Sequence, residues 1–112
     1  MAKSTAAKSD SKAASPEVQM FFDDQGYNSY SDADKLDYTF LAAVKNYKDG
    51  KISEMTLGEI AQQFEANPAW HDSLYQTEIG WALDVPRLKD TDKDKMLQTL
   101  QQLEDFYSAE VG

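Results

Sequence analysis

The chain contains no cysteine. Disulfides, thiolate nucleophiles and thiolate zinc sites are therefore excluded. Histidine occurs once, as His71, so no second imidazole can complete a metal set and no Cys–His pair can form. Glycine is sparse, at 5 residues, and no glycine-rich phosphate loop is present. No apolar run approaches the roughly 18 residues needed to cross a bilayer. The N-terminus lacks the apolar stretch of about 7–15 residues that a secretory signal requires. These absences leave no identifiable carrier for catalysis, and no cofactor or metal is expected. A cytoplasmic, non-membrane protein is the expectation.

Positive charge is also scarce. The sequence has 11 Lys and Arg against 20 Asp and Glu, a formal net charge of −9. The distribution is uneven: residues 1–16 carry Lys3, Lys8 and Lys12 against Asp10 alone. That segment is otherwise Ala, Ser, Thr, the initial Met and one Pro, and it cannot bury enough apolar surface to offset its ordering entropy. It is expected to be a disordered basic tail, followed by an acidic domain over residues 17–112. The acidic domain repels phosphate, which argues against direct nucleic-acid binding by the folded part. Its charge suits solubility or attraction to a basic partner.

Apolar spacing predicts an all-α bundle of about four main helices. The clearest runs over 32–48, with Leu36, Phe40, Ala43, Val44 and Tyr47 on one face. Ser31 is a candidate N-cap, the acids of the first turn and lysines of the last complement the dipole, and Gly50 supplies a left-handed stop. A second helix opens at Thr56, where Thr56 and Glu59 have capping-box spacing. Asn67-Pro68 opens a third, expected to end near Asp84 because Pro86 cannot continue it. The fourth follows Thr91, its expected cap, with Leu100 and Leu103 at the centre of its apolar face. Residues 17–22 offer a shorter fifth segment.

Two local patterns carry less than they promise. Residues 56–61 look like the first helix of a helix-turn-helix, but no basic residue lies between Lys51 and Arg87 to read a base edge. Asp90, Asp92 and Asp94 have the opening spacing of a calcium loop. Lys95 stands where the loop needs Gly, and Gln101 where it needs a bidentate Glu. Capping of the last helix explains those acids better.

The third helix is the informative one. Counted as one continuous helix, Trp70, Leu74, Trp81 and Val85 fall on one narrow stripe. Tyr75, Ile79, Ala82 and Leu83 fall on another, with Glu78 and His71 between. Either the helix is central and both stripes are core, or one stripe meets a partner. For the second case the Trp stripe is the better candidate, since large aromatics make effective anchors. Trp70, Leu74, Glu78, Trp81 and Asp84 are accordingly the candidate partner-binding residues. The function expected is a non-enzymatic protein-binding module, an inhibitor, adaptor or assembly factor, that recognises a basic protein. The alternatives are a DNA mimic whose carboxylates stand in for phosphates, and a self-associating structural subunit, for which a homo-oligomer is the natural state.

Overall fold

A computed structural model describes residues 14–112. Among them are five α-helices and one short 3-10 helix, and no strand. The expected disordered tail falls largely outside the described residues. Its last residues do not: Ser15 is the N-cap of the first helix, its hydroxyl accepting the Val18 N–H at 3.3 Å, and Pro16 takes the first helical position. The folded part thus reaches back to Ala14, which packs partly buried against the core.

Helix α1 spans Pro16–Gln25, a full helix where the sequence suggested a shorter piece. It turns at Gly26, whose φ of 69° is left-handed. α2 spans Ala33–Lys48 and buries Leu36, Phe40, Ala43 and Val44, as the spacing predicts. Its cap is Asp32, not Ser31. The Asp32 carboxylate accepts the Lys35 N–H at 2.9 Å, while Ser31 closes a turn by accepting the Asn28 N–H. α3 spans Glu54–Glu65 and is capped by Ser53, which accepts the Thr56 N–H at 3.1 Å. The expected Thr56–Glu59 box does not form, because both side chains serve a tertiary contact. Thr56 donates its hydroxyl to Glu17 of α1 at 3.0 Å, and Glu59 accepts the Ser15 N–H at 2.7 Å.

The third helix expected from sequence is two elements. Pro68–Asp72 forms the 3-10 helix, capped by Asn67. After a break at 73–75, α4 spans Gln76–Thr91. Pro86 does not end α4 but lies inside it. Its ring takes the space left by Gly58 of α3. A Cβ at Gly58 would overlap Cγ of Pro86 and lie 2.7 Å from its Cδ. Glycine on one helix thereby lets a proline ring on the next pack close, and the helix continues with one backbone bond fewer. α5 spans Lys93–Val111. Asp92 rather than Thr91 caps it, accepting the Lys95 N–H at 3.1 Å, while the Thr91 hydroxyl bonds back to the Arg87 carbonyl. Leu100 and Leu103 are buried, as expected.

α4 packs most extensively on α5 and α3, so it is sandwiched between them. A line of rings crosses the core from α1 to α5. Phe22 meets Tyr27 at 4.8 Å, Tyr27 meets Phe64 edge-on at 5.3 Å, Phe64 meets Phe40 at 6.2 Å, and Phe40 stacks on Phe106 at 6.0 Å. Such offset and edge contacts add stabilisation beyond the area they bury.

Candidate functional site

The two apolar stripes resolve into one broad face. Within α4 the buried residues are Ile79 and Ala82 from one stripe, Val85 from the other, and Leu88 from neither, and together they centre between the stripes. A helix held between two neighbours needs such a wide apolar face. Trp81 and Leu83, at its edges, are half-buried against the core.

The candidate partner-binding residues do not share a helix. Trp70 lies on the 3-10 helix and is half-buried. Leu74 lies in the linker, 79% exposed. Glu78 and Trp81 are half-buried on α4. Asp84, further along α4, pairs with Arg87 at 2.8 Å on the surface. The break at 73–75 resets the helical phase, so Trp70 and Leu74 cannot be projected onto the wheel of α4.

What makes the break is Asp37 of α2, which is only 6% exposed. Its carboxylate accepts the Ser73 hydroxyl at 2.6 Å and the Leu74 N–H at 3.1 Å. Ser73 Oγ in turn accepts the Tyr75 N–H at 3.0 Å. On the other side of the linker, the Gln76 amide donates to the carbonyls of Trp70 and His71, at 3.2 and 2.8 Å. A buried carboxylate is costly unless hydrogen-bonded. Here it is satisfied by the linker, and it places negative charge beside the N-terminal end of α4, where the dipole favours it. Asp37 was not among the sequence candidates. The signal was available: it sits three residues before Phe40 and seven before Val44, an acid on the edge of an apolar face.

A second seam ties the same elements together. The Asn67 amide donates to the Ser31 carbonyl at 3.0 Å and to the Tyr27 hydroxyl at 3.2 Å. Burial raises the Tyr27 pKa above the ordinary phenol value, against the opposing bond from Asn67. Tyr75, beside the linker, donates to Glu110 of α5 at 3.1 Å. Burial, reinforced by the Glu110 carboxylate, pushes its pKa up to about 12.

These contacts bring the end of α1, the start of α2, the end of α3, the 3-10 helix and the start of α4 to one end of the bundle. Charge there is nearly all negative. Asp23, Asp24, Asp32, Asp34, Asp72 and Glu78 belong to these segments, with Lys35 as the one cation. The other cations of the described residues fall within 45–51 and 87–95. The first stretch leads into α3 and the second follows Pro86, and Gly58 near the start of α3 touches Pro86 late in α4; Lys48 of the first stretch lies over the Tyr107 ring of α5. Acids are interleaved with them, as in the Lys45–Asp49 pair at 2.7 Å. Among the described residues, no cluster of His, Cys, Asp or Glu has the makings of a metal set. Asp90 and Asp94 lie on different helices, with Asp92 committed to capping. No helix among them is long and apolar enough to cross a membrane.

Comparison with protein-family models, curated proteins and solved structures gives no match.

Proposed function

We propose that this protein is a non-enzymatic protein-binding module, an inhibitor, adaptor or assembly factor, and that its partner is basic. One observation carries the reading. Leu74 is 79% exposed on a linker whose backbone is pinned by the buried carboxylate of Asp37. A large apolar side chain held in water on a fixed backbone has little backbone entropy left to lose on binding. Trp70 and Trp81 contribute their exposed edges as anchors, with Glu78 and Asp84 in the polar rim. The acidic surroundings select a partner of opposite charge and speed its approach. They also disfavour nucleic acid and a second copy of the chain at this end.

The test is retention of a partner from native extract on immobilised protein, comparing wild type with Leu74→Ser and with Leu97→Ser. Leu97 is a large side chain 54% exposed on α5 and serves as the control. The expected result is a basic protein held by wild type and by Leu97→Ser, released by Leu74→Ser and weakened by salt. Equal retention by all three, or a concentration-dependent mass of the protein alone, would overturn the proposal.

A further inference from the structure

Among the described residues the three most exposed large apolar side chains lie on neighbouring segments. Tyr30 is 95% exposed, Tyr38 71% and Leu74 79%. All three sit on segments stitched to one another. Tyr30 immediately precedes Ser31, whose carbonyl accepts from Asn67, and Tyr38 immediately follows Asp37, which holds Ser73 and Leu74. On α2, Asp34 and Tyr38 are one turn apart, so they share the outward face of that helix. Tyr30 is fixed by a local turn: its N–H donates to Asn28 Oδ1 at 2.8 Å, and the Asn28 N–H donates to Ser31 Oγ at 2.9 Å.

We propose that this surface, the Asp34–Tyr38 face of α2 with Tyr30 in the turn before it and Leu74 in the linker held by Asp37, docks an arginine-rich segment of a protein partner. The proposal rests on the protein-binding role above and adds the place and the chemistry. Charge complementarity selects the occupant: this end carries acids with Lys35 as its one cation among the described residues. A second copy would bring like charge, as would DNA or an anionic membrane. The exposed tyrosine faces narrow the choice further. Guanidinium stacks on aromatic rings and pairs with carboxylates in one fork, which ammonium cannot do. Leu74 would take an apolar side chain in the same segment.

The experiment titrates the full chain, with amide resonances observed by NMR, against three fluorescent peptides of equal length. One repeats Arg and Leu, one Lys and Leu, one Glu and Leu. The Arg peptide should bind tightest, with shifts concentrated in residues 28–42 and 67–78, and the Glu peptide should not bind. Tyr30→Ala with Tyr38→Ala should weaken the Arg peptide by roughly tenfold while leaving the melting temperature unchanged, because both rings are exposed. Tyr30→Phe with Tyr38→Phe should restore binding, since the ring face rather than the hydroxyl does the recognition. If the Arg peptide binds elsewhere, or if the Ala variants bind it as well as wild type does, the surface is wrong and the module role stands. If neither basic peptide binds, and no basic protein is retained through Leu74, both fall. Shifts that grow with protein concentration alone would replace the proposal with self-association, and amide shifts produced by duplex DNA in the absence of peptide would replace it with nucleic-acid binding.

Discussion

Two of the seams that hold α4 are made of opposite materials. Against α3 it packs through bare contact: the Pro86 ring fills the space above Gly58, and Ile79, Ala82 and Val85 are fully buried. At its start it is held by polar bonds, with Asp37 fixing Ser73 and Leu74 while Leu74 itself stands in water. The first seam is sealed and tolerates neither a lost nor an added atom. The second fixes the backbone and leaves the side chain free. Only the second leaves a large apolar side chain in water, since a sealed seam has already spent its apolar surface on folding.

The sharpest way to break the dry seam is to empty it. Ile79→Ala should cost about 2–5 kcal/mol, a large part of the roughly 5–15 kcal/mol expected for a domain of this size. Chemical denaturation measures it; a loss under about 1 kcal/mol would mean the α3–α4 contact is not close-packed.

The polar seam should fail by a different route. Asp37→Ala leaves the Ser73 hydroxyl and the Leu74 N–H without their acceptor, at a cost of about 1–3 kcal/mol. Local opening should come with it: hydrogen exchange should rise at Leu74 and Tyr75 more than at Ile79 or Ala82. A uniform rise across α4 would show that Asp37 supports the whole helix rather than the linker.

Much of the fold was legible and its failures were of one kind. The faces of α2 and α5 follow from spacing, because each helix is long and has one strongly apolar side. Caps were misread by one to three residues where an alternative Ser, Thr or Asp stood nearby. In α3 the choice was decided at a distance, by Glu17 and Ser15 of α1 taking up Thr56 and Glu59. Pro86 was read as a stop because its missing N–H is a local fact. The clearance that lets it stay helical comes from Gly58, 28 positions earlier, and that pairing is invisible before the helices are packed. The same limit hid the break at 73–75. Ser73 and Asp37 are ordinary polar residues in sequence, and only their meeting converts one apparent two-faced helix into a 3-10 helix, a linker and α4.

Two helical glycines, one in the dry seam and one outside it, should respond with opposite signs. Both lie inside helices, where Gly→Ala ordinarily gains about 1 kcal/mol. At Gly80 of α4 an added Cβ meets nothing within 4 Å, so Gly80→Ala should stabilise by roughly 0.5–1 kcal/mol. At Gly58 the methyl would overlap the Pro86 ring. Overpacking of about 1–3 kcal/mol then exceeds the helix gain, leaving a net loss of up to about 2 kcal/mol. Adding Pro86→Ala to Gly58→Ala should recover most of that loss, because the colliding ring is gone. Stabilisation by Gly58→Ala alone would show that the helices part easily there.

The smallest expected effect is the most telling for function. Leu74→Ser should change stability by less than about 0.5 kcal/mol, because the side chain is already 79% exposed and only its N–H is engaged by Asp37. The backbone bond survives the substitution, so the linker should keep its exchange protection. The comparison with Asp37→Ala is then clean. One variant keeps the backbone and removes the apolar group; the other keeps the group and frees the backbone. If Leu74 is a docking anchor, both should weaken partner binding, but only Asp37→Ala should also lower the melting temperature. If Leu74→Ser unfolds the domain, the residue is structural, and the exposed linker was closing on the core rather than offering itself to a partner.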